Sequence, residues 1–254
     1  MTNTIAYDQQ SSGTVDVERC PWDGAKRHRL QVLSVQKWTD DIHGLTLGPG
    51  RDGLPSFHPG HYALLEFPDG LSRPLSIASS PSTFRLDFHV KHFAGSQFTR
   101  RITEELAVGD PVTVAAPFGN AWLRNDQVRP ISLVAGGTGL APAKAIIEHL
   151  AHTDDSRTLR LYWGVRRHRE LYASSLLDSL MQQHRDFKWQ PVLMEPSEGW
   201  KGASGLVHET ALRFCDSPAM QDIYLSGPPA MLKAAAAAFR KAGAHPDHLF
   251  HDPW

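Results

Sequence analysis

Apolar and polar residues alternate with a period of two through the first half of the chain. The clearest case is residues 85–91, RLDFHVK, where apolar side chains occupy every second position, as on a half-buried antiparallel strand. Similar short runs are RLQVLSV, HYALLEF and PVTVAA, separated by turns rich in proline and glycine such as GPGRDGLPSFHPG. Many short strands joined by such turns predict a small antiparallel barrel over residues 28–125.

The pattern changes after about residue 126, where each apolar run leads into a segment with helical periodicity. The runs are ISLVA, LRLYW, WQPVLM and DIYLS, and the first helix is expected over residues 140–150. Alternating strands and helices predict a parallel sheet with helices on both faces over residues 126–254. The fold class is therefore a two-domain protein, an antiparallel β-barrel followed by an α/β domain with a parallel sheet.

Composition adds limits to this organisation. Residues 1–27 are polar and aperiodic, which indicates a flexible N-terminal arm. The formal net charge is −1, so no basic field favours nucleic acid. No apolar run approaches the ~20 residues of a membrane span, and the start of the chain lacks the basic and apolar blocks of a signal peptide. A cytoplasmic protein without a membrane span is expected.

Neither cysteine nor histidine usage predicts a metal centre. Cys20 and Cys215 are far apart and too few for an iron–sulfur cluster. Histidines recur near the C-terminus, at His245, His248 and His251, but without the acidic companion or second spacing of a known metal site. Any iron–sulfur centre is expected on a separate protein.

A glycine-rich turn stands between the first predicted strand and helix of the α/β domain. Gly136, Gly137, Thr138 and Gly139 place unpaired backbone N–H groups and the positive end of a helix dipole together, which favours an anion. Thr138 is expected to be the N-cap. The turn is neither G-x-G-x-x-G nor a Walker loop, so a turn that needs positive φ and binds nothing is the alternative.

Two further glycines follow strands of the same domain. Gly164 comes after LRLYW and Gly227 after DIYLS. Ligands of open parallel sheets bind beyond the carboxyl ends of the strands. We therefore expect three glycine turns to meet at one ligand-binding edge, which weakens the alternative that the first turn binds nothing.

Four motifs, in this order, resemble those of the ferredoxin-NADP reductase superfamily, and the resemblance covers nearly everything after the arm. They are RPLS at 73–76, GGTGLAP at 136–142, YWGVR running into ELY at 162–172, and SGPPAM at 226–231. The segments RPLSIASSP, PFGNAWLRND and EGWKGASGLV are most similar to bacterial NAD(P)H flavin reductases and oxygenase reductase modules.

The resemblance implies that the barrel binds a flavin. Arg73 would meet its anionic or carbonyl oxygens and the Ser76 hydroxyl would hydrogen-bond near N5, with Pro74 of the same motif also expected among the cofactor-binding residues. Leu75 stands where the family has a stacking tyrosine, so it forfeits an aromatic pair term of about 0.5–1.5 kcal/mol and predicts a looser grip on the flavin. His89 and Val90 are also expected to contact the cofactor.

A second barrel segment resembles the family site for the FAD pyrophosphate, at a helix N-terminus. Its expected binding residues are Gly95, Ser96, Gln97, Phe98 and Thr99. Flavin reductases that use flavin as a diffusible substrate tend to lack this segment, so FAD is expected, with FMN as the alternative.

The resemblance also implies that the second domain binds a nicotinamide dinucleotide. Gly136, Gly137, Thr138 and Gly139 would take its pyrophosphate. Gly164, Gly227 and Pro228 would lie near the ligand. Ser226, where many relatives have a cysteine, is expected to be a catalytic-site residue that can hydrogen-bond but offers no thiol.

Two further parts of the site follow from the resemblance. Arg166 and Glu195 would lie at the ribose, where the Glu195 carboxylate repels a 2′-phosphate and favours NADH over NADPH. Trp254 would lie over the flavin as a catalytic-site residue, or alternatively anchor the chain end.

The function implied is that of an NAD(P)H-dependent reductase in which hydride passes to flavin N5 while the protein aligns the two rings. Its electron acceptor would be free flavin or a separate iron–sulfur or oxygenase protein. The alternative is a flavin-bearing electron-transfer or regulatory subunit of a larger complex, without NAD(P)H activity of its own. A phosphate-binding NTPase is excluded because the P-loop lysine is absent.

Overall fold

The computed structural model describes residues 25–125, 128–153 and 155–252. The first part is a six-stranded antiparallel sheet in the order β4-β3-β6-β1-β2-β5. Its elements are β1 Lys26–Lys37, β2 Ile42–Gly48, β3 Tyr62–Glu66, β4 Ser72–Ser76, β5 Leu86–Lys91, helix α1 Gln97–Arg100 and β6 Pro111–Phe118. A bridge between Ile77, just after β4, and Phe88 of β5 brings the two edges of the sheet together, so the sheet is a nearly closed barrel.

Alternation along the strands fills the barrel. Leu30, Leu47, Leu65 and Phe88 are fully buried and belong to one apolar cluster. Strand β2 was not among the predicted runs, because its sequence IHGLTLG does not alternate cleanly and its burial is almost continuous.

The second part is a six-stranded sheet in the order β10-β9-β8-β7-β11-β12, with every pair parallel. Its strands are β7 Ile131–Gly136, β8 Leu159–Val165, β9 Phe187–Leu193, β10 Ala203–Ser204, β11 Asp222–Ser226 and β12 Leu249–Phe250. Its helices are α2 Leu140–Ala151, α3 Ser174–Gln183, α4 Val207–Arg213 and α5 Pro229–Lys241.

Separate apolar clusters lie on the two faces of this sheet. Leu133 and Leu161 belong to the cluster that includes residues of α2 and α3, whereas Val134 and Ile223 belong to the cluster with residues of α4 and α5. Adjacent residues of one strand thus point to opposite faces, and both faces are covered by helices. The predicted fold class is confirmed.

The first strand begins at Lys26, before the predicted start of the barrel at residue 28, because the pairing with β6 extends to Lys26 and Ala116. The change of domain falls between Phe118 and Ile131, a stretch that includes the predicted boundary at 126. Among the helices in the described ranges, none combines the length and apolar character needed to cross a membrane.

Candidate functional site

The glycine turns meet at the carboxyl edge of the parallel sheet. In the pairing of β7 with β8, Gly136 lies opposite Gly164, and in the pairing of β7 with β11, Ala135 lies opposite Ser226. An ideal Cβ added to Gly227 would stand 3.1 Å from the Gly136 nitrogen. The structure therefore brings the three turns together, as expected.

The first turn is a single 3-10 turn over Gly137–Gly139 that leads directly into α2. Gly137 has φ +55°, and no heavy atom lies within 4 Å of the place where its Cβ would stand. The Trp163 indole Nε1 donates to the Gly137 carbonyl at 2.9 Å. The Trp163 side chain thus fixes the turn through the Gly137 carbonyl, and the space where a Gly137 side chain would stand is open.

The expectation that Thr138 caps helix α2 is wrong. The residue before the helix is Gly139, and no side chain caps the first turn. Because the chain turns in 3-10 geometry over Gly137–Gly139, Thr138 lies inside that turn, one residue too early to be the cap. The first N–H groups of the turn and of α2 therefore have no side-chain acceptor from a cap.

Ser226 ties the last turn to the first. Its Oγ donates to the Gly139 carbonyl at 2.6 Å. A Cβ at Gly139 would collide with the Ser226 carbonyl and stand 2.7 Å from the Gly227 nitrogen, so Gly139 permits this close approach of two backbones. Because the Ser226 hydroxyl proton is used in this hydrogen bond, the Ser226 oxygen can act toward a ligand only as an acceptor.

Gly164 is a packing glycine. A Cβ at this position would stand 2.7 Å from Val207 Cβ of helix α4. The missing side chain makes room for a helix, so any contact of Gly164 with a ligand involves its backbone alone.

A cluster of charges lies where β8 and β9 end. Arg166 Nε is 3.4 Å from Glu195 Oε1, and Arg167 donates to Glu195 Oε2 at 2.9 Å. All three side chains are about half exposed or more. Glu195 is therefore paired with both arginines at this edge, where the sequence placed Arg166 beside it without showing the ion pairs.

Strand β4 carries the barrel motif. Arg73 is exposed and donates from Nη1 to the Ser72 carbonyl at 2.8 Å, whereas Pro74 and Ser76 are partly buried. Leu75 is also partly buried and packs against the barrel core. As the last residue of the strand, Ser76 is paired with Tyr62 of β3.

The segment between β5 and β6 forms a capped turn. Ser96 is the N-cap of α1, and its Oγ accepts from the Thr99 amide at 3.3 Å. Gly95 has φ +84° with open space at its Cβ position, and Gln97 is exposed. Phe98 is buried in the barrel core and Thr99 is buried too, so the side chains of these two predicted contacts are turned away from solvent.

His89 and Val90 of β5 lie at the contact between the domains and in the barrel core, respectively. The Val90 side chain is buried in the barrel core. The His89 ring lies against Trp38 and shares a 2.8 Å hydrogen bond with the Tyr172 hydroxyl, and burial lowers its pKa to about 3. His89 is thus a neutral contact between the barrel and the α/β domain.

An aromatic cluster extends this contact toward the glycine turn. Tyr172 stacks on Trp38 with ring centroids 5.3 Å apart and meets Trp163 edge to face at 5.2 Å. Trp163 in turn donates to Gly137. Sequence reasoning assigned no role to Trp38 or Trp163, since nothing local to either residue shows that the two rings share a neighbour.

Two residues of α2, Lys144 and Glu148, were also missed. Both are buried charges on a helix that is otherwise almost wholly apolar over residues 140–147. Charged residues in an otherwise apolar helix were the feature of the sequence from which their role could have been suspected. Trp254 lies outside the described residues, and within the described ranges no group of three or more His, Cys, Asp or Glu side chains is arranged to hold a metal ion.

Comparisons with known proteins agree with this architecture. Residues 133–237 match the family model of the oxidoreductase NAD-binding domain. The chain is 33% identical over 229 residues to an NAD(P)H-flavin reductase of Aliivibrio fischeri, covering 87% of this chain and 96% of that protein.

Longer relatives include reductase components of oxygenases. The chain is 31% identical over 231 residues to the reductase component of propane 2-monooxygenase from Mycolicibacterium goodii, covering 88% of this chain and 66% of that one. It is 30% identical over 222 residues to the ferredoxin–NAD(P)(+) reductase component of a Pseudomonas putida naphthalene 1,2-dioxygenase system, with coverages of 87% and 67%. The chain thus spans about two thirds of the length of these oxygenase components.

Solved structures show the same fold. The crystal structure of an Amycolatopsis cytochrome P450 reductase superimposes with a TM-score of 0.83 at 28% identity, covering 90% of this chain and 70% of that one. The cytochrome b5 reductase domain of Ulva prolifera nitrate reductase matches with a TM-score of 0.76 at 24% identity, with coverages of 88% and 96%.

Proposed function

Because the chain belongs to the ferredoxin-NADP reductase superfamily, with the NAD(P)H-flavin reductases and oxygenase reductase components among its relatives, we propose that it oxidises a reduced nicotinamide dinucleotide through a flavin. One observation carries the proposal. The glycine turn Gly137–Gly139 of the α/β domain lies against β5 of the barrel, which is bridged to the chain just after β4. A dinucleotide on that turn and a flavin on β4 would be neighbours.

The barrel offers a fit for the flavin. The exposed guanidinium of Arg73 can meet a phosphate or carbonyl oxygen, and Ser76 lies farther along the same strand. The open Gly95 turn, with Ser96 and Thr99 beside it, is our proposed contact for the pyrophosphate of FAD, with FMN as the alternative cofactor. When bound, the flavin would supply a hydride acceptor at N5 and a route to a second electron acceptor.

The α/β domain offers a fit for the nicotinamide dinucleotide. Open space over Gly137 and uncapped N–H groups suit the pyrophosphate, and Ser226 holds Gly139 in place rather than reacting. Gly227 and Pro228 follow at the end of β11, and Pro228 lies close to Gly136. In this proposal the protein binds and orients, so catalysis comes from the alignment of two ligands.

Loose flavin binding follows from Leu75 in this proposal. We expect the purified chain to retain part of its FAD and to bind FAD more tightly than FMN. Leu75→Tyr should tighten FAD binding by up to about tenfold, because it adds a stacking term of about 0.5–1.5 kcal/mol. Leu75→Met is the matched control, since it keeps an aliphatic contact of similar volume.

Fluorescence titration with FAD and FMN measures these affinities. Equal affinities of the wild-type chain for FAD and FMN would contradict the proposed pyrophosphate contact at 95–99. Tightening by Leu75→Met as large as that by Leu75→Tyr would contradict the stacking argument.

The electron acceptor is proposed to be free flavin or a separate iron–sulfur or oxygenase protein in the cytoplasm. The relative of nearly equal length is an NAD(P)H-flavin reductase, which supports free flavin as the first acceptor to test. The second candidate is a flavin-bearing subunit without NAD(P)H activity. A damaged nicotinamide site would favour it, but the turn Gly137–Gly139 is open at Gly137 and packs closely at Gly139 against the neighbouring turn at Gly227.

A panel of acceptors tests the proposal. The FAD-loaded chain is mixed with NADH and, separately, with free FMN, free FAD, ferricyanide and a ferredoxin, and NADH oxidation is followed. Turnover with at least one acceptor is expected. No NADH oxidation with any of them, including ferricyanide, would favour the subunit without activity of its own.

A further inference from the structure

A buried ion pair joins helix α2 to the barrel. Lys144 Nζ bonds to Glu148 Oε1 at 2.5 Å and donates to the Ala78 carbonyl at 2.9 Å. The other Glu148 oxygen accepts from the Ser80 amide at 3.3 Å. Both charged side chains are about one tenth exposed. Each therefore holds its helix partner and one backbone group of the segment that follows β4.

Further polar groups of the barrel complete the cluster. Asp87 Oδ2 lies 4.0 Å from Lys144 Nζ, and Asp87 also pairs with Arg85 and accepts from Thr46 Oγ1. Within this cluster two cationic and two anionic side chains balance. Lys144 and Glu148 are thus paired, and each also makes a hydrogen bond across the domain boundary.

Such a pair adds little to stability by itself. Removing two charges from water is costly, and their attraction recovers this cost only with good geometry, so an apolar pair of similar volume is often as stable. A buried ion pair with two directed backbone contacts instead fixes how two elements sit against each other. Loss of the pair should therefore change the position of α2 relative to the segment after β4 more than the free energy of unfolding.

The two elements that the pair joins are those that would carry the two ligands. Helix α2 begins at Leu140, immediately after the glycine turn, and Lys144 lies only about one turn farther along. Ala78 lies two residues after Ser76, the end of the motif strand. One turn of helix separates Lys144 from the glycine turn, and two residues of extended chain separate Ala78 from Ser76.

The geometry points to Lys144 and Glu148 as positioning residues that set the spacing between the Ser76 end of β4 and the glycine turn. This inference rests on the proposed function. Neither residue contacts a reacting atom in it. Since a misplacement of about 1 Å can cost about a hundredfold in rate, loss of the pair should slow hydride transfer while leaving binding of each ligand nearly intact.

The test replaces both charges together, as K144M/E148L, so that neither is left buried without its partner. Amide hydrogen exchange of the chain without cofactor gives a readout independent of activity. The Ser80 amide should exchange at least about tenfold faster, since it loses its acceptor. The Ala78 amide, which donates to the Asp87 carbonyl, should change little and serves as the internal control.

Single-turnover reduction of the FAD-loaded chain by NADH gives the second readout. The rate constant should fall by about 10- to 100-fold, with less than a threefold change in the NADH dissociation constant. The matched control is D222L/H248L, which removes a buried Asp–His contact of 2.8 Å at the amino end of β11, away from the glycine turns. It should leave both the Ser80 exchange and the rate constant at wild-type values.

A second variant covers failure of the double variant to fold. E148Q keeps an acceptor for the Ser80 amide but removes the nearer of the two carboxylates that face Lys144, and it should slow flavin reduction about three- to tenfold at an unchanged NADH affinity. Wild-type rate constants in K144M/E148L or in E148Q, or an equal loss in D222L/H248L, would overturn the positioning role. If instead the wild-type chain is not reduced by NADH, the proposed function fails, while the Ser80 exchange still reports whether the pair fixes the segment after β4.

Discussion

At the scale of single residues, the pairing of Glu195 changes the expected nicotinamide preference. A lone carboxylate would repel a 2′-phosphate, but Glu195 is shared by Arg166 and Arg167, so the cluster carries one positive charge in excess. These exposed pairs are individually worth about 1 kcal/mol or less. Because the excess positive charge offsets much of the repulsion between the carboxylate and a 2′-phosphate, we expect the preference for NADH to be reduced to about fivefold in kcat/KM, the lower end of a single polar discrimination.

Glu195→Gln should shift that preference toward NADPH by about 5- to 30-fold, because it frees two guanidinium groups for a 2′-phosphate. Glu198→Gln is the matched control, since it changes the same charge three residues away. The measurement is the ratio of kcat/KM for NADH to kcat/KM for NADPH in wild type and both variants, at fixed ionic strength. A wild-type preference for NADPH, or an equal shift in Glu198→Gln, would show that Glu195 does not set the specificity.

The same residues show what the sequence predicts of a site. The residue types and the strand ends at which they lie could be predicted, because periodicity places Glu195 after one strand and Arg166 after its neighbour. Their ion pairs could not, since the two positions are distant in sequence. Ser226 is similar: its place beside the first turn follows from strand order, but its bond to the Gly139 carbonyl depends on a close approach of two loops.

At the scale of elements, the glycine turn is the feature with the sharpest consequence. Gly137→Ala would put a methyl group into the open space over the turn, at φ +55°, where an L-residue costs about 1–2 kcal/mol. We expect a loss of about that size in the free energy of unfolding and NADH binding weakened by at least about tenfold, because the methyl group obstructs an anion. The free energy of unfolding and the NADH dissociation constant are both measured.

Gly53→Ala is the control for this prediction. Gly53 has φ +67° and is also open at its Cβ position, but it lies in the loop after β2. It should cost similar stability and leave NADH binding unchanged. Equal effects of both substitutions on NADH affinity would mean that the Gly137 turn is not the binding element.

Elements were predictable where their burial follows a period. Strand β5 alternates in sequence and was found, although the domain contact also buries its His89. Strand β2 is instead buried at nearly every position because Gly44 and Gly48 leave room for the side chains of Trp38 and Leu33. Strands β10 and β12 have two residues each, too few to show any period. The order of strands in the barrel depends on pairings such as β1 with β6, which no local pattern encodes.

At the scale of the whole molecule, the contact between the two domains makes stability depend on pH. Burial lowers the pKa of His89 to about 3, whereas in the unfolded chain the pKa is about 6.5. The unfolded chain therefore takes up a proton first as pH falls, and stability decreases from about pH 6.5 down to about pH 3. Between pH 7 and pH 5 His89 should account for a loss of about 2 kcal/mol.

Comparison of wild type with His89→Gln isolates this contribution. Denaturant unfolding at pH 7 and pH 5 should show a smaller loss in the variant, by about 2 kcal/mol, although the variant is the less stable protein at pH 7. His245→Gln, an exposed histidine, is the control and should lose as much as wild type. Identical pH dependence in His89→Gln and wild type would mean that the folded protein binds a proton at His89.

The central claim is that a flavin on strand β4 takes hydride from a dinucleotide on the glycine turn, and anaerobic stopped-flow reduction of the FAD-loaded chain by NADH tests it most directly. Bleaching of the flavin absorbance is expected in the wild-type chain, with a rate that saturates in NADH. Ser76→Ala should slow it by roughly ten- to a thousandfold, the scale of losing one well-placed polar contact, whereas Ser72→Ala at the start of the same strand should not. No bleaching of the wild-type flavin, or equal rates in Ser76→Ala and wild type, would contradict the account.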